Sequence, residues 1–290
     1  MDGGGVRTIA SIHFLQKLEQ ALGEKLCQKF DYFIGTSAGA ISCLSLAVKQ
    51  CEAKELGEVW SSQNLEKTMT NSSWETKLGL LQSNPKYTNN GKRDVLESFY
   101  DHSVMGDALK PVSVMSYDIE KREPVLIKSY SKQDKDISLI DAADASTAAP
   151  IYYSTVKIGS RYLIDGAIVA NHPVIHGFVE AKKIYPEDRL KVLSVGTGLN
   201  KKPLNGEDSK GWGIVGWVTH DLFNLMMESS LDHELAADLI GGDYLRINSE
   251  LGDINSQLDD NSDENIEKII AMGDDWWKEF GSQTLRLLQE

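Results

Sequence analysis

The hydrophobic positions near the start of the chain predict a helix followed by a strand, a glycine turn and a second helix. Apolar residues between positions 6 and 22 recur at spacings of three and four, which is the period of a helix with one buried face, and Gly23 is a natural stop. Residues 30–34 form a short apolar run that reads as a strand. A tight turn at residues 35–40 overlaps the start of an apolar helix predicted over residues 38–48. This order of elements is typical of an α/β unit.

Predicted helices and strands also follow one another along the rest of the chain. Further helices are predicted over residues 53–64, 92–102, 138–148, 174–184, 213–240 and 263–289, and further strands over residues 111–118, 124–130, 156–158, 162–164, 191–195 and 244–248. No repeat, low-complexity segment or convincing linker interrupts the pattern. We therefore expect a single domain over residues 1–290.

Composition and charge narrow the class of protein. The 290 residues are 41% hydrophobic and carry a formal net charge of -13, which argues against a nucleic-acid partner. No apolar run approaches the roughly 18 residues that a membrane span needs, and no signal peptide follows Met1. Cys27, Cys43 and Cys51 match neither a disulfide framework nor a zinc motif, so we expect them to be buried thiols. A cytoplasmic protein is expected, with a peripheral membrane location left open.

Residues 35–39 read Gly-Thr-Ser-Ala-Gly and fit the pattern G-x-S-x-G. A serine on a sharp turn between a strand and a helix has its hydroxyl held out at the edge of the sheet. Gly35 and Gly39 permit the strained backbone and the close helix packing that such a turn needs. The alternative is a purely structural glycine turn in which the serine has no catalytic role. The surrounding strand and helix favour Ser37 as a nucleophile.

Three consecutive glycines, Gly3, Gly4 and Gly5, come just before the first helix. Such a run exposes backbone N–H groups that can hold an oxyanion or a phosphate. Arg7 adds a fixed positive charge suited to an anionic intermediate. A nucleotide loop would use similar glycines, but the spacings of the common nucleotide-binding motifs are absent. A plain flexible terminus is the other alternative.

Asp165 follows a predicted strand and precedes Gly166, so its carboxylate can be aimed at a serine hydroxyl as a general base. Asp-Gly turns taken alone are mostly structural. The role of Asp165 therefore depends on its combination with the other two motifs.

That combination resembles the patatin-like phospholipase family. The resemblance rests on three ordered segments, residues 2–7 (Asp-Gly-Gly-Gly-Val-Arg), residues 35–39 and residues 165–167 (Asp-Gly-Ala), and on the intervening segments Pro85–Tyr87, Ser116–Ile119, Pro124–Val125 and Ser146–Pro150. It covers about residues 2–200. Thr8 stands where the family usually has glycine, a difference that a helix start tolerates.

The resemblance implies a three-layer α/β/α sandwich around a mostly parallel sheet. It also implies hydrolysis of lipid acyl esters, of phospholipase A type, by a catalytic dyad of Ser37 and Asp165. The N–H groups of Gly3 to Gly5, with Arg7, would form the oxyanion hole. No metal and no cofactor is implied, and the expected partner is a lipid or membrane-surface substrate.

Several alternatives stay open. His172, His176, His220 and His233 all follow the acid in chain order, so a Ser-His-Asp hydrolase is the nearest mechanistic rival. A general esterase or thioesterase would use the same dyad. A storage or lipid-binding protein would keep the scaffold without the activity. The hydrolase could also need a nucleotide or protein activator. The sequence does not determine this, and it does not determine the oligomeric state.

One apolar stretch is ambiguous. Trp212, Trp217, Phe223, Met226 and Met227 lie in or beside one predicted helix. A packed helix is the usual meaning of such a cluster, and a lipid-facing lip of the active site is the alternative.

Overall fold

The computed structural model describes residues 1–71, 84–220, 222, 225 and 232–289. In chain order its elements are α1 (Thr8–Leu22), α2 (Leu26–Lys29), β1 (Phe33–Thr36), α3 (Ala38–Leu44), α4 (Ala53–Val59), α5 (Ser62–Thr68), α6 (Asn89–Tyr100), β2 (Val112–Asp118), β3 (Glu123–Lys128), α7 (Leu139–Ser146), β4 (Val156–Ile158), β5 (Arg161–Asp165), α8 (Ala167–Ala170), α9 (Val174–Ile184), β6 (Val192–Val195), α10 (Gly206–Ser209), α11 (Ile214–Thr219), α12 (Asp232–Ile240), β7 (Tyr244–Ile247) and α13 (Asp263–Gln289).

The central strand of the larger sheet is β2, and its two edges are used differently. The antiparallel strand β3 pairs with β2 from Ser113 to Asp118 along one edge. The other edge is shared, because β1 pairs with its first half in parallel and β5 pairs with its second half antiparallel. The strands β1 and β5 therefore run toward each other, and their carboxyl ends meet in the middle of β2.

The second sheet consists of the parallel pair β6 and β7. Met1 and Asp2 connect it to the first sheet through backbone hydrogen bonds. The amino group of Met1 donates to the Ile34 carbonyl at 2.7 Å, and the Thr36 N–H donates to the Met1 carbonyl at 3.2 Å. On the other side the Asp2 N–H donates to the Val195 carbonyl at 3.0 Å. The start of the chain is thus held between β1 and β6.

Helices flank the sheet, so the predicted α/β architecture is confirmed. The sheet itself is mixed, whereas a mostly parallel one was expected. The reason lies in the connections: β2–β3 and β4–β5 are joined by short turns, which can link only antiparallel neighbours. Only β1–β2 and β6–β7 are parallel pairs among the described strands.

The helices pack closely around this sheet. Helix α3 lies against β1, β2 and α7, and the long helix α13 lies against α1. A Cβ atom on Gly273 would come within 2.5 Å of the Ala10 carbonyl, so the absence of a side chain lets α13 approach α1. Trp276 of α13 is buried and donates to the Ser249 hydroxyl at 2.8 Å. The three cysteines are buried free thiols, as expected.

Element boundaries differ from the sequence prediction in a few places. The first strand begins at Phe33 and extends through Thr36, because backbone pairing with Pro111 and with β2 starts only there. The helix predicted over residues 53–64 is two helices, α4 and α5. The helix predicted over residues 213–240 appears as α11 and α12, and most of residues 221–231 lie outside the described residues. Over the part of the chain that the structure describes, no helix is long and apolar enough to cross a bilayer.

Candidate active site

Ser37 lies at the tip of the turn between β1 and α3. Its backbone has φ 52° and ψ −127°, a conformation that costs a non-glycine residue energy and that is found at nucleophile turns. Its N–H donates to the Ser146 hydroxyl at 3.0 Å, and that hydroxyl donates to the Met115 carbonyl at 2.6 Å. Ser146 therefore ties the strained turn to the middle of β2.

The two predicted turn glycines are required by close approach. A Cβ atom on Gly35 would come within 2.4 Å of the Gly39 carbonyl, and one on Gly39 within 2.5 Å of the Asp2 carbonyl. A side chain at residue 35 would push α3 away from β1, and one at residue 39 would push α3 away from the start of the chain. The turn thus needs both glycines for packing.

The predicted dyad residues are in direct contact. The Ser37 hydroxyl donates to Asp165 Oδ2 at 2.7 Å, across 128 residues of sequence. Asp165 is 1% exposed at the end of β5, and its other oxygen, Oδ1, accepts the Ala167 N–H at 2.8 Å. Burial raises the pKa of Asp165 to about 6, against the lowering effect of these hydrogen bonds and of the Lys92 charge. Its carboxylate is therefore a stronger base than an exposed one.

A buried cation lies close enough to Asp165 to affect it. The Lys92 ammonium is 2.9 Å from the Asp144 carboxylate, and it also donates to the backbone carbonyls of Asp144 and Thr147. Burial lowers the pKa of Lys92, and the Asp144 charge opposes that effect. Arg93 binds the same carboxylate at 2.9 Å from the surface side. The sequence carries no local signal of this network, because an ordinary amphipathic helix carries similar residues.

The glycine loop presents free backbone donors near the serine. A Cβ atom on Gly3 would lie 3.1 Å from the Ser37 Cβ, so the loop and the turn are in contact. The Gly3 N–H already donates to the Asn171 carbonyl at 3.2 Å. The N–H groups of Gly4 and Gly5 donate to no atom of the described residues. Two of the three predicted oxyanion donors are thus available to a ligand.

The Arg7 side chain does not reach the cavity where an anionic intermediate would form, although its charge suggested such a role. It is 1% exposed, and its Nε is 3.5 Å from the Gly4 carbonyl on the protein side of the loop. It does not line the cavity that contains Ser37. Its geometry is that of a support for the glycine loop.

Side chains from distant segments hold the start of this loop. The Asp2 side chain is 1% exposed, and its carboxylate accepts hydrogen bonds from Arg246 and, at 2.6 Å, from His172 Nδ1. Burial by itself would raise the pKa of Asp2, but the two partners hold it far below its usual range. The Arg246 guanidinium also donates to the Ser194 hydroxyl at 2.7 Å. Asp2, Arg246 and His172 form what we call the loop clamp.

The rest of the loop is fixed by backbone contacts. The Thr197 hydroxyl donates to the Gly3 carbonyl at 2.8 Å, and the Val6 N–H donates to the Leu258 carbonyl at 2.9 Å. Neither partner has a sequence motif that marks it. Their roles follow only from where β6 and the segment after β7 lie in the fold.

A cavity of about 100 Å³ opens beside Ser37. Its walls are mostly apolar; they include Val6, Ala38, Ile41, Val59, Leu65, Met69, Val95 and Leu96, with Tyr87, Tyr152, Tyr153 and Asp259 among the polar members. A larger cavity of about 650 Å³ lies elsewhere, between β1 and β6. We place the candidate site at the smaller one, because Ser37 and Gly5 line it, whereas neither residue lines the larger cavity.

The histidines do not complete a conventional triad. All six lie within the described residues, and none bonds to Ser37 or Asp165. His172 binds Asp2 in the loop clamp, and His220 Nδ1 lies 2.7 Å from the Gly216 carbonyl.

The apolar cluster near residue 215 is described only in part. The rings of Trp212 and Trp217 pack edge to face, with their centres 5.2 Å apart. Phe223, Met226 and Met227 lie outside the described residues.

Comparison with known proteins shows which family the chain resembles. A family model described as patatin-like phospholipase matches residues 1–177. The chain is 28% identical to the cGAMP-activated phospholipase of Pseudomonas aeruginosa, over 86% of this chain and 77% of that protein. It is 25% identical to Patatin-like protein 3 of Arabidopsis thaliana, over 94% of this chain and 78% of that protein.

One solved structure shows the same fold. VipD from Legionella pneumophila superposes with a TM-score of 0.55 at 14% identity, over 99% of this chain and 66% of that chain. The chain thus spans just under two thirds of VipD, and the likeness concerns the fold alone. Since the family model covers more than half of the 290 residues, this chain belongs to the patatin-like phospholipase family.

Proposed function

We propose that the chain is a lipid acyl hydrolase of phospholipase A type, with Ser37 as nucleophile and Asp165 as general base. The observation that carries the proposal is the 2.7 Å hydrogen bond from the Ser37 hydroxyl to the buried Asp165 carboxylate. The free N–H groups of Gly4 and Gly5 and the apolar cavity support it, since an acyl ester needs an oxyanion site and an apolar pocket.

In the acylation half-reaction, Ser37, Asp165 and the glycine loop each have one task. Asp165 Oδ2 accepts the hydroxyl proton as Ser37 Oγ attacks the ester carbonyl carbon, and the carbonyl π electrons move to oxygen. Gly4 and Gly5 donate to that oxyanion, and one such donor is typically worth about 3 kcal/mol of barrier. Collapse of the intermediate breaks the bond to the alcohol, which takes the proton from Asp165 and leaves as the lysolipid.

Deacylation repeats the same steps with water. Asp165 accepts a proton from the water that attacks the acyl-serine, and it returns that proton to Ser37 Oγ as the fatty acid leaves. A base with a pKa of about 6 is ionised at neutral pH and can still return the proton, so one carboxylate serves both half-reactions.

Labelling with a fluorescent fluorophosphonate tests the dyad. We expect the wild type to react and Ser37→Ala and Asp165→Ala to remain unlabelled. Ser42→Ala is the matched control, because Ser42 is fully buried one turn along α3. Phosphatidylcholine hydrolysis followed by mass spectrometry should yield lysolipid and fatty acid. Hydrolysis by Ser37→Ala at the wild-type rate would contradict the proposal.

The small size of the cavity favours a second candidate, a short-chain esterase on the same dyad. A series of p-nitrophenyl esters of increasing acyl length separates the two. A lipase should gain rate when a long-chain ester forms micelles, whereas an esterase should lose rate as the chain lengthens.

A further inference from the structure

The cavity beside Ser37 has a charged rim that the dyad chemistry does not use: Asp259 lines the cavity and forms an ion pair with Lys86. The Lys86 ammonium binds Asp259 Oδ2 at 2.5 Å, and the Tyr87 hydroxyl donates to the same oxygen at 2.6 Å. The side chain of Lys86 is 38% exposed and that of Asp259 is 11% exposed. The other oxygen, Asp259 Oδ1, accepts no hydrogen bond from the described residues. Each partner of the pair therefore keeps bonding capacity toward a ligand.

Aromatic rings surround this ion pair. The Lys86 ammonium is 5.1 Å from the centre of the Tyr87 ring and 5.7 Å from that of Tyr152. Tyr153 lies beside Tyr87, with ring centres 5.7 Å apart. Tyrosine faces next to a carboxylate are the surroundings that stabilise an ammonium group. The rim already holds one ammonium, that of Lys86, in this way.

The ion pair is also adjacent to the predicted oxyanion loop. Asp259 follows Leu258, whose carbonyl accepts the Val6 N–H. Asp259 and Tyr87 line the same cavity as Ser37 and Gly5. A lipid with its ester carbonyl at Ser37 would therefore share its cavity with the Asp259 carboxylate, which holds Lys86.

We propose that the Lys86–Asp259 pair and its tyrosines form a subsite for a zwitterionic phospholipid head group. The Lys86 ammonium binds the phosphate, and Asp259 with the ring faces of Tyr87 and Tyr152 binds the head-group ammonium. The pair is neutral as a whole, so it complements a neutral zwitterion better than an anionic head group. This inference rests on the proposed phospholipase function and names its substrate class.

The test compares kcat/KM for phosphatidylcholine and phosphatidylglycerol of identical acyl chains, at fixed mole fraction in mixed micelles with a neutral detergent. Wild type should prefer phosphatidylcholine. Asp259→Asn removes the partner of the choline ammonium and leaves an unpaired cation, so the ratio should fall about tenfold. Lys86→Met leaves an unpaired anion that repels phosphatidylglycerol more strongly, so the ratio should rise.

Opposite shifts in the two variants distinguish substrate recognition from a structural latch. If the pair only fastened residue 259 to residue 86, both variants would lose rate on both lipids equally. The ratio does not depend on the amount of folded enzyme, so partial misfolding does not obscure it. Asp275→Asn and Lys278→Met are matched controls, because this pair lies exposed on α13; the ratio should stay at the wild-type value.

The outcomes are separable. An active wild type whose ratio is unchanged in both variants, or shifts the same way in both, would overturn the head-group subsite alone. A wild type that reacts with the fluorophosphonate but cleaves neither phospholipid would overturn the proposed function and the subsite together.

Discussion

Thr36 and Asp165 pair with consecutive residues of β2, Met115 and Ser116, and reach them from opposite directions. Ser37 directly follows Thr36, so the geometry of one strand edge brings its hydroxyl to the Asp165 carboxylate. This meeting of strand ends depends on β1 being parallel and β5 antiparallel to β2 along the same edge. The proposed dyad is thus built into the sheet.

The pH dependence of activity should report the ionisation of Asp165. A general base must be ionised, so kcat/KM for p-nitrophenyl butyrate should rise with pH through a midpoint of about 6 and then level off. Lys92→Met should move the midpoint upward, because the Lys92 charge lowers the pKa of Asp165. Lys17→Met, which breaks a part-exposed ion pair between α1 and Asp274 of α13, is the control. A midpoint that stays in place in Lys92→Met would refute the coupling.

The free energy of unfolding should depend on pH, because the buried Asp165 carboxylate is costly in its charged form. The folded pKa of about 6 lies above the reference value of 3.8, so the folded state binds the proton more tightly. The contribution of Asp165 to stability is then complete below about pH 4 and is lost as the pH rises through 6. Asp165→Asn should be more stable than wild type at pH 8, by on the order of 1–3 kcal/mol, with the gap closing toward pH 4.

Thermal unfolding of both proteins at pH 4.5 and pH 8 checks this. Asp275→Asn, at an exposed site, controls for the general effect of losing one negative charge. A variant that is less stable than wild type at pH 8 would show that the hydrogen bonds of Asp165 outweigh its desolvation.

The loop clamp should matter for both rate and stability. Arg246→Met leaves the buried Asp2 carboxylate without its main partner, and breaking a buried pair costs about 3–5 kcal/mol. The glycine loop should then lose its alignment, with a fluorophosphonate reaction rate lower by about tenfold or more. Arg246→Lys should recover part of the rate, because the charge remains while the forked geometry is lost.

The measurement is the labelling rate well below the unfolding temperature of each variant. Arg189→Met removes an exposed arginine that pairs with Asp243, and it should change stability little because solvent screens an exposed pair. Unaltered labelling in Arg246→Met would mean that the loop keeps its position without the clamp.

Ser146 should support the strained turn. Ser146→Ala removes the acceptor of the Ser37 N–H and leaves the Met115 carbonyl without that donor. An unmade hydrogen bond at a buried group costs about 1–3 kcal/mol, so the unfolding temperature should drop and kcat should decrease while KM changes little. Ser42→Ala, also buried, should keep both values. Equal rates for Ser146→Ala and wild type would argue that the turn holds its conformation unaided.

Much of the candidate site could be predicted because its signals are local. The apolar strand, the glycine turn and the apolar helix around Ser37 depend on backbone conformation and on close packing, which act over a few residues. The same holds for Asp165 at a strand end before Gly166, and for the glycine run at residues 3–5. Arg7 was predicted from its charge and from the segment of residues 2–7, and neither tells on which side of a loop a side chain lies.

The sequence by itself determined the family, the helices and strands, and the residues of the proposed dyad, since each is written in a short segment. Only the tertiary structure decided which glycine N–H groups are free and that Arg246 holds Asp2 across 244 residues. It also decided that Lys86 and Asp259 meet at the rim of the cavity. Contacts of this kind depend on how distant segments pack together, and an arginine or aspartate in an ordinary strand or loop carries no local mark of its partner.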